Sequence, residues 1–339
     1  MSSAERQSAV ATWLAICAAT VIVMVMLGGA TRLTHSGLSI VEWQPIVGTL
    51  PPMSGAQWNA TFDKYKETPE YKQVNEGMSL DAFKGIFWWE YFHRLLGRTI
   101  GFVFLLPLLY FWRRGAITAH LGRVLTGIFI LGGLQGFMGW HMVRSGLIDE
   151  PAVSPFRLTA HLLLAIAIFG AMWWTALSLW HPRSAGAKSR PRRLSWIVTA
   201  LVLYMATTGG FVAGIHAGLS NNTFPLMSGH IIPLEILLME PWWNNFFYNV
   251  TTVQFDHRLG AWTLALLVPV LVWRVRASAA GPRAERAAWL LFVMLAVQVT
   301  LGITTLLWFV PIPLAVLHQG GAVLLFSAAL NLNHALIER

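Results

Sequence analysis

Apolar residues in this chain gather into long, nearly unbroken runs, and short polar segments separate one run from the next. Eight runs, 10–30, 93–112, 124–142, 158–180, 194–215, 257–273, 287–310 and 312–332, stand out. Each is long enough, or nearly so, to cross a hydrocarbon core of ~30 Å, which takes about 20 residues. Lipid cannot satisfy open backbone groups, so every run is predicted to be a helix. The sixth is short unless residues just before His257 belong to it. Pro107 and Pro269 fall inside the second and sixth runs and are expected to kink them. The predicted fold class is an all-α integral membrane protein with eight transmembrane helices.

Composition supports this pattern. The 339 residues are 55% hydrophobic and only 12% charged, where a soluble domain carries about a quarter charged residues. A net charge of +9 raises the question of a nucleic-acid partner. The positions of the charges answer it. Arg113, Arg114 and Arg123 follow the second run; Arg183, Lys188, Arg190, Arg192 and Arg193 follow the fourth; Arg274, Arg276, Arg283 and Arg286 follow the sixth. The positive-inside rule places these three loops, and with them both termini, in the cytoplasm, and no nucleic acid is implied. Loop 31–89 then lies outside, and its polar centre, 62–84, is expected to form a short surface helix or to lie loosely on the membrane. The first run has no cleavage site of the Ala-x-Ala kind and reads as a retained span. Cys17, the only cysteine, excludes an intrachain disulfide and any cysteine-based metal site.

The chain repeats itself. Gly28-Gly29 followed by His35-Ser36-Gly37-Leu38-Ser39 returns, at a constant offset, as Gly209-Gly210 followed by His216-Ala217-Gly218-Leu219-Ser220. Further on, His93-Arg94-Leu95 matches His257-Arg258-Leu259, Gln135 matches Gln298, and His161 matches His318. Two halves of four helices each, 1–190 and 191–339, follow from this order. An even number of spans inserts both halves the same way up, related by a pseudo-twofold axis near the membrane normal.

On that topology His93, His161, His257 and His318 all fall in the outer part of the membrane, two per half, with His93 and His257 at the outer ends of their helices. Two imidazoles aimed from facing helices into an apolar slot are what bis-histidine ligation of heme iron requires. A lone histidine near a membrane interface is more often a hydrogen-bonding interfacial residue. Four at matched depth in a duplicated frame point to function, because polar groups in the membrane are costly. Arg94 and Arg258, next to the first histidine of each pair, are candidate propionate contacts or, equally, interfacial anchors. Gln135 and Gln298 suit a heme substituent or, more simply, helix–helix adhesion. His35 and His216 lie in outer turns, where a histidine is easily solvated.

One position breaks the symmetry. Glu90 precedes His93 where Gln254 precedes His257. A carboxylate beside one heme edge and absent from the other is a candidate for proton transfer or charge stabilisation. The simpler alternative is a cap on the helix start, where negative charge is favoured.

Several runs of the sequence together resemble the heme A synthase family: Gly28 to Thr34 with Ser36 to Ser39, Glu90 to Arg94, Thr159 to Leu162, Asn222 to Met227, Asp256 to Arg258, and Leu317 to Gln319. They occur in order and cover nearly the whole chain. The resemblance implies two four-helix halves and oxidation of the C8 methyl of heme O, through an alcohol, to the formyl group of heme A for terminal oxidases. It implies that His93 and His161 frame the substrate heme, that Glu90 is the carboxylate needed for turnover, and that His257 and His318 ligate a resident heme b. It further implies a bacterial inner membrane location, with heme O synthase, an oxidase assembly factor and further copies of the chain as candidate partners. The absence of an outer cysteine pair resembles the class found in proteobacteria and mitochondria. Two other readings of the residues stay open, a di-heme cytochrome b electron carrier and a heme-free transporter with parallel repeats.

Overall fold

The computed structural model describes residues 2–43, 47–148, 151–182, 191–278 and 280–337. It is built of helices: α1 (Ser3–Leu33), α2 (Gly55–Lys66), α3 (Pro69–Gln73), α4 (Leu80–Arg113), α5 (Ala119–Arg144), α6 (Pro155–Trp180), α7 (Arg192–Gly214), α8 (Asn245–Tyr248), α9 (Val250–Ala277), α10 (Pro282–Leu307) and α11 (Ile312–Ala335). Eight of these, α1, α4, α5, α6, α7, α9, α10 and α11, are long and apolar enough to cross a membrane. Arg183, Lys188 and Arg190, and the expected boundary at residue 190, lie outside the described residues.

Local sequence sets where the helices begin. Ser2 and Glu5 form a reciprocal capping box on α1, and Ser79 and Thr118 accept from the first turns of α4 and α5. Proline occupies the first turn of α6, α10 and α11, where no intrahelical donor is needed. Pro107 and Pro269 lie within the continuous helices α4 and α9.

Helix α1 packs on α4 and α6, and α5 packs on α4 and α6; α9 packs on α7 and α10, and α11 on α7 and α10. The two sets meet through α1 with α11, α6 with α7, and α6 with α11. Small and apolar side chains fill the shared core, including Leu14 and Cys17 of α1, Phe169 and Met172 of α6, and Leu330 and Leu332 of α11. Buried polar groups there are few, and some are paired, as where Asn333 Nδ2 donates to Thr199 Oγ1 at 2.6 Å.

Two boundaries differ from the sequence expectation. His93 is not at the start of its helix: α4 begins at Leu80, about three and a half turns earlier. His257 sits about two turns inside α9, so residues before it do complete the sixth span. The cause is that α4 outgrows the bilayer. Its 34 residues extend ~50 Å at ~1.5 Å each, against a hydrocarbon core of ~30 Å. Its first turns are held instead by aromatic packing. Phe83, Phe87 and Tyr91 recur at helical spacing and bury themselves against Phe62 and Tyr65 of α2, with Phe62 and Phe83 centroids 5.0 Å apart. Segment 62–84 is thus a folded unit with its own core rather than a loose surface strip.

Glu70 of α3 is buried in that unit, 5% exposed, and accepts from Tyr65 Oη at 3.3 Å. Burial pushes its carboxyl up to about 7, and the charge of Glu90 adds to the effect. The sign follows from linkage: a folded-state pKa above the unfolded value contributes stability that is complete below the ordinary carboxylate range and is lost as pH rises through about 7. Proteolytic nicking between α2 and α4 is therefore expected to rise several-fold from about pH 6 to about pH 8. Glu70→Gln should flatten that dependence; an unchanged pH profile in the variant would show that another group controls the unit.

Candidate heme sites

The four repeated histidines come from four different helices: His93 from α4, His161 from α6, His257 from α9 and His318 from α11. They pair as the repeat requires. The rings of His93 and His161 lie near enough for a charge on one to act on the other, and so do those of His257 and His318.

Each imidazole rests against a glycine on a neighbouring helix. A Cβ at Gly28 of α1 would stand 2.8 Å from Cε1 of His93, and one at Gly139 of α5 would stand 3.1 Å from Cε1 of His161. The second half repeats this, with Gly209 of α7 at 3.3 Å from His257 Cε1 and Gly302 of α10 at 2.8 Å from His318 Cε1. A side chain at Gly28 or Gly302 would push the ring out of place, and one at Gly139 or Gly209 would press on it. Gly28 and Gly209 were visible as repeated residues, whereas Gly139 and Gly302 were not. Their signal was present in the sequence, since each follows the repeated glutamine by one helical turn.

Those glutamines hold the backbone of the second histidine. Gln135 Nε2 donates to the His161 carbonyl at 3.0 Å, and Gln298 Nε2 donates to the His318 carbonyl at 2.9 Å. Of the two sequence readings, this is the helix–helix adhesion role. The Nδ1 atoms of His93, His161 and His318 are buried with no partner among the described residues, while Nε2 of His161 lies 3.3 Å from Gln135 Nε2. Two neutral imidazoles per half, each cradled by a glycine of the neighbouring helix, are the kind of donor set that heme iron takes. The residues present therefore fit bis-histidine heme ligation in both halves.

Arg94 and Arg258 act as clamps. Arg94 Nη2 pairs with Glu90 Oε1 at 2.6 Å and donates to the Ile40 carbonyl at 2.8 Å, while Nη1 donates to the Glu42 carbonyl at 3.1 Å. Arg258 Nη2 donates to Gln254 Oε1 at 3.0 Å and the Asn221 carbonyl at 2.7 Å, and Nη1 to the Thr223 carbonyl at 2.8 Å. Both arginines thus tie a loop to the helix that carries the first histidine. Only Nε of Arg258 is buried without a partner in that pair.

Glu90 and Gln254 occupy equivalent places with opposite polarity. Glu90, 2% exposed, accepts through Oε2 from Ser39 Oγ at 2.7 Å and from the Ile40 amide at 2.8 Å. Gln254 instead donates through Nε2 to the carbonyls of Ala217 and Ser220, at 2.8 and 2.5 Å. The loop backbones have turned to match, donors toward the carboxylate and acceptors toward the amide. Glu90 is therefore not a cap on a helix start, because its helix begins ten residues earlier. It is a buried carboxylate with a structural latch role as well as any chemical one.

His35 and His216 meet. Both adopt left-handed backbone, with φ of 51° and 56°, and their rings stack at 6.2 Å with planes 8° apart. Repeat-related turns of the two halves thus touch, which a reading as isolated, solvated residues did not foresee.

A membrane-embedded helical protein with two histidine cradles, unlike in their neighbouring acid, is the class this arrangement defines. The family model described as cytochrome oxidase assembly protein matches residues 11–330, and the chain belongs to that family. Relatives named heme A synthase are similar along almost the full length. That of Nitrosospira multiformis is 59% identical, covering 97% of this chain and 94% of its own. That of Nitrosomonas eutropha is 52% identical, covering 95% and 92%. That of Agrobacterium fabrum is 49% identical, covering 94% and 88%.

Proposed function

We infer that the protein is a heme A synthase, oxidising a ring methyl of heme O to the formyl group of heme A. The observation that carries this is the pair of matched histidine cradles of which only the first holds a buried carboxylate. In this reading the chain forms two four-helix halves, 1–190 and 191–339. His93 and His161 hold heme O as substrate. His257 and His318 hold heme b, which supplies one-electron redox chemistry when bound.

Oxidising a methyl to a formyl with water as oxygen source releases protons at the reacting edge and passes electrons to an acceptor that must be supplied from outside the chain. Glu90 takes up a proton at the reacting edge, and Arg94 steadies the carboxylate and fixes its direction. The aromatic unit over Glu90 keeps bulk water away from that edge. Arg258, whose buried Nε has no partner among the described residues, would be the arginine available to a heme propionate, whereas Arg94 contributes through Glu90 and the loop. The family match supports a place in cytochrome oxidase assembly. A bacterial inner membrane, cytoplasmic termini and heme sites toward the outer side complete the reading, with supply by heme O synthase and contact with an oxidase assembly factor or further copies of this chain.

The rival with most in its favour is an electron relay through two equivalent b hemes. Pigment extraction separates the two: heme O or heme A beside heme B supports the synthase, and two heme B per chain with neither of the others supports the relay.

A further inference from the structure

Of the four histidines, His257 is the one whose Nδ1 is engaged among the described residues, whereas the contact to His161, from Gln135 Nε2 at 3.3 Å, is at Nε2. Thr208 Oγ1 of α7 lies 2.8 Å from His257 Nδ1, while Nδ1 of His93, His161 and His318 has no partner among the described residues. The direction of this bond follows from the other contact of Thr208. Its hydroxyl proton is directed to the Met205 carbonyl, at 3.2 Å. Both contacts of the hydroxyl are satisfied together when its oxygen accepts from Nδ1–H, and that tautomer leaves the Nε2 lone pair of His257 free for a metal.

The repeat makes the comparison internal. Gly28 and Gly209 touch His93 and His257 at the same ring atom, so the residues just before them, Leu27 and Thr208, are equivalent. Leucine cannot accept a hydrogen bond. The first half thus lacks, by one side chain, the outer partner that the second half has.

We propose that Thr208 is a positioning residue that makes His257 the strong ligand of the resident heme, and that Leu27 keeps His93 a weak one so that a heme can leave the first site. This rests on the assignment of the histidines as heme ligands. A partner on the distal nitrogen fixes the tautomer and ring plane and raises ligand basicity, and its loss costs about 10–100-fold in metal affinity. A resident cofactor needs that hold. A substrate that must depart as product is better served without it.

The test uses the full-length protein with its hemes. Thr208→Val is close in volume and removes the acceptor; Thr208→Ser restores it. The valine variant is expected to lose heme B to a heme-scavenging globin about 10–100-fold faster than wild type. Its midpoint potential should rise, because a less basic ligand stabilises ferric iron less, and its low-spin electron paramagnetic resonance signal should shift. The serine variant should restore all three properties. Leu27→Thr should slow the loss of heme from the first half. Wild-type transfer rate, potential and spectrum in Thr208→Val would overturn the proposal. His257→Ala is the control for the assignment beneath it. If that variant keeps heme B with an unchanged spectrum, the ligand assignment itself is wrong.

Discussion

Glu90→Gln is expected to keep heme O bound and to lower the rate of formyl formation by about 10²–10⁴-fold, the range typical of a lost acid–base group. The amide keeps an oxygen for Arg94, which now pairs with Oε1 at 2.6 Å, and its nitrogen can donate to Ser39 Oγ. It cannot accept from the Ile40 amide, now bonded to Oε2 at 2.8 Å. Leaving that buried donor unmet costs about 1–3 kcal/mol, enough to loosen the loop without unfolding the bundle. Glu90→Ala is a poorer probe, because it also strands Arg94 and frees the loop from the helix. Pigment analysis of Glu90→Gln during turnover gives the answer directly. Heme A at a near-normal rate would restrict Glu90 to its latch role.

His257→Ala should remove heme B from the protein and leave heme O binding in the first half intact. One of two facing ligands is deleted, Thr208 loses its partner, and the space beside Gly209 opens. His318, whose carbonyl is held by Gln298, stays in place but ligates alone. Stoichiometric extraction is expected to find heme B reduced at least tenfold, on the order of the loss from weakened metal ligation, and imidazole added to the medium should restore part of it. Heme B retained at the wild-type ratio would place the resident heme elsewhere.

Much of this architecture was legible in the sequence because a bilayer imposes simple rules. Hydropathy runs marked all eight spans, and the duplication picked out His93, His161, His257 and His318 together with the mismatch of Glu90 and Gln254. What it did not reveal has definite causes. Hydropathy measures the length of chain in hydrocarbon, not the length of helix, so the extra turns of α4 were missed and those of α9 showed only as the shortness of the sixth run. The 62–84 segment reads as polar, because its core is made by a few aromatic residues whose partners Phe83 and Phe87 lie on the next helix. Arg94 and Arg258 were open between propionates and anchors, and only the fold shows their Nη atoms bonded to loop carbonyls. Thr208 escaped notice for a further reason. Its meaning lies in the contrast with Leu27, and a search for matched residues passes over positions that differ.

The claim at the centre of this account is that the two histidine cradles hold different hemes for different purposes. It is tested most directly by extracting the pigments of two double variants in cells supplied with heme O. One is His93→Ala with His161→Ala, and the other is His257→Ala with His318→Ala. The first is expected to keep heme B and to contain neither heme O nor heme A, and the second to lose heme B while still binding heme O. Equal loss of every pigment in both variants, or heme B alone in both halves of the wild type, would contradict it.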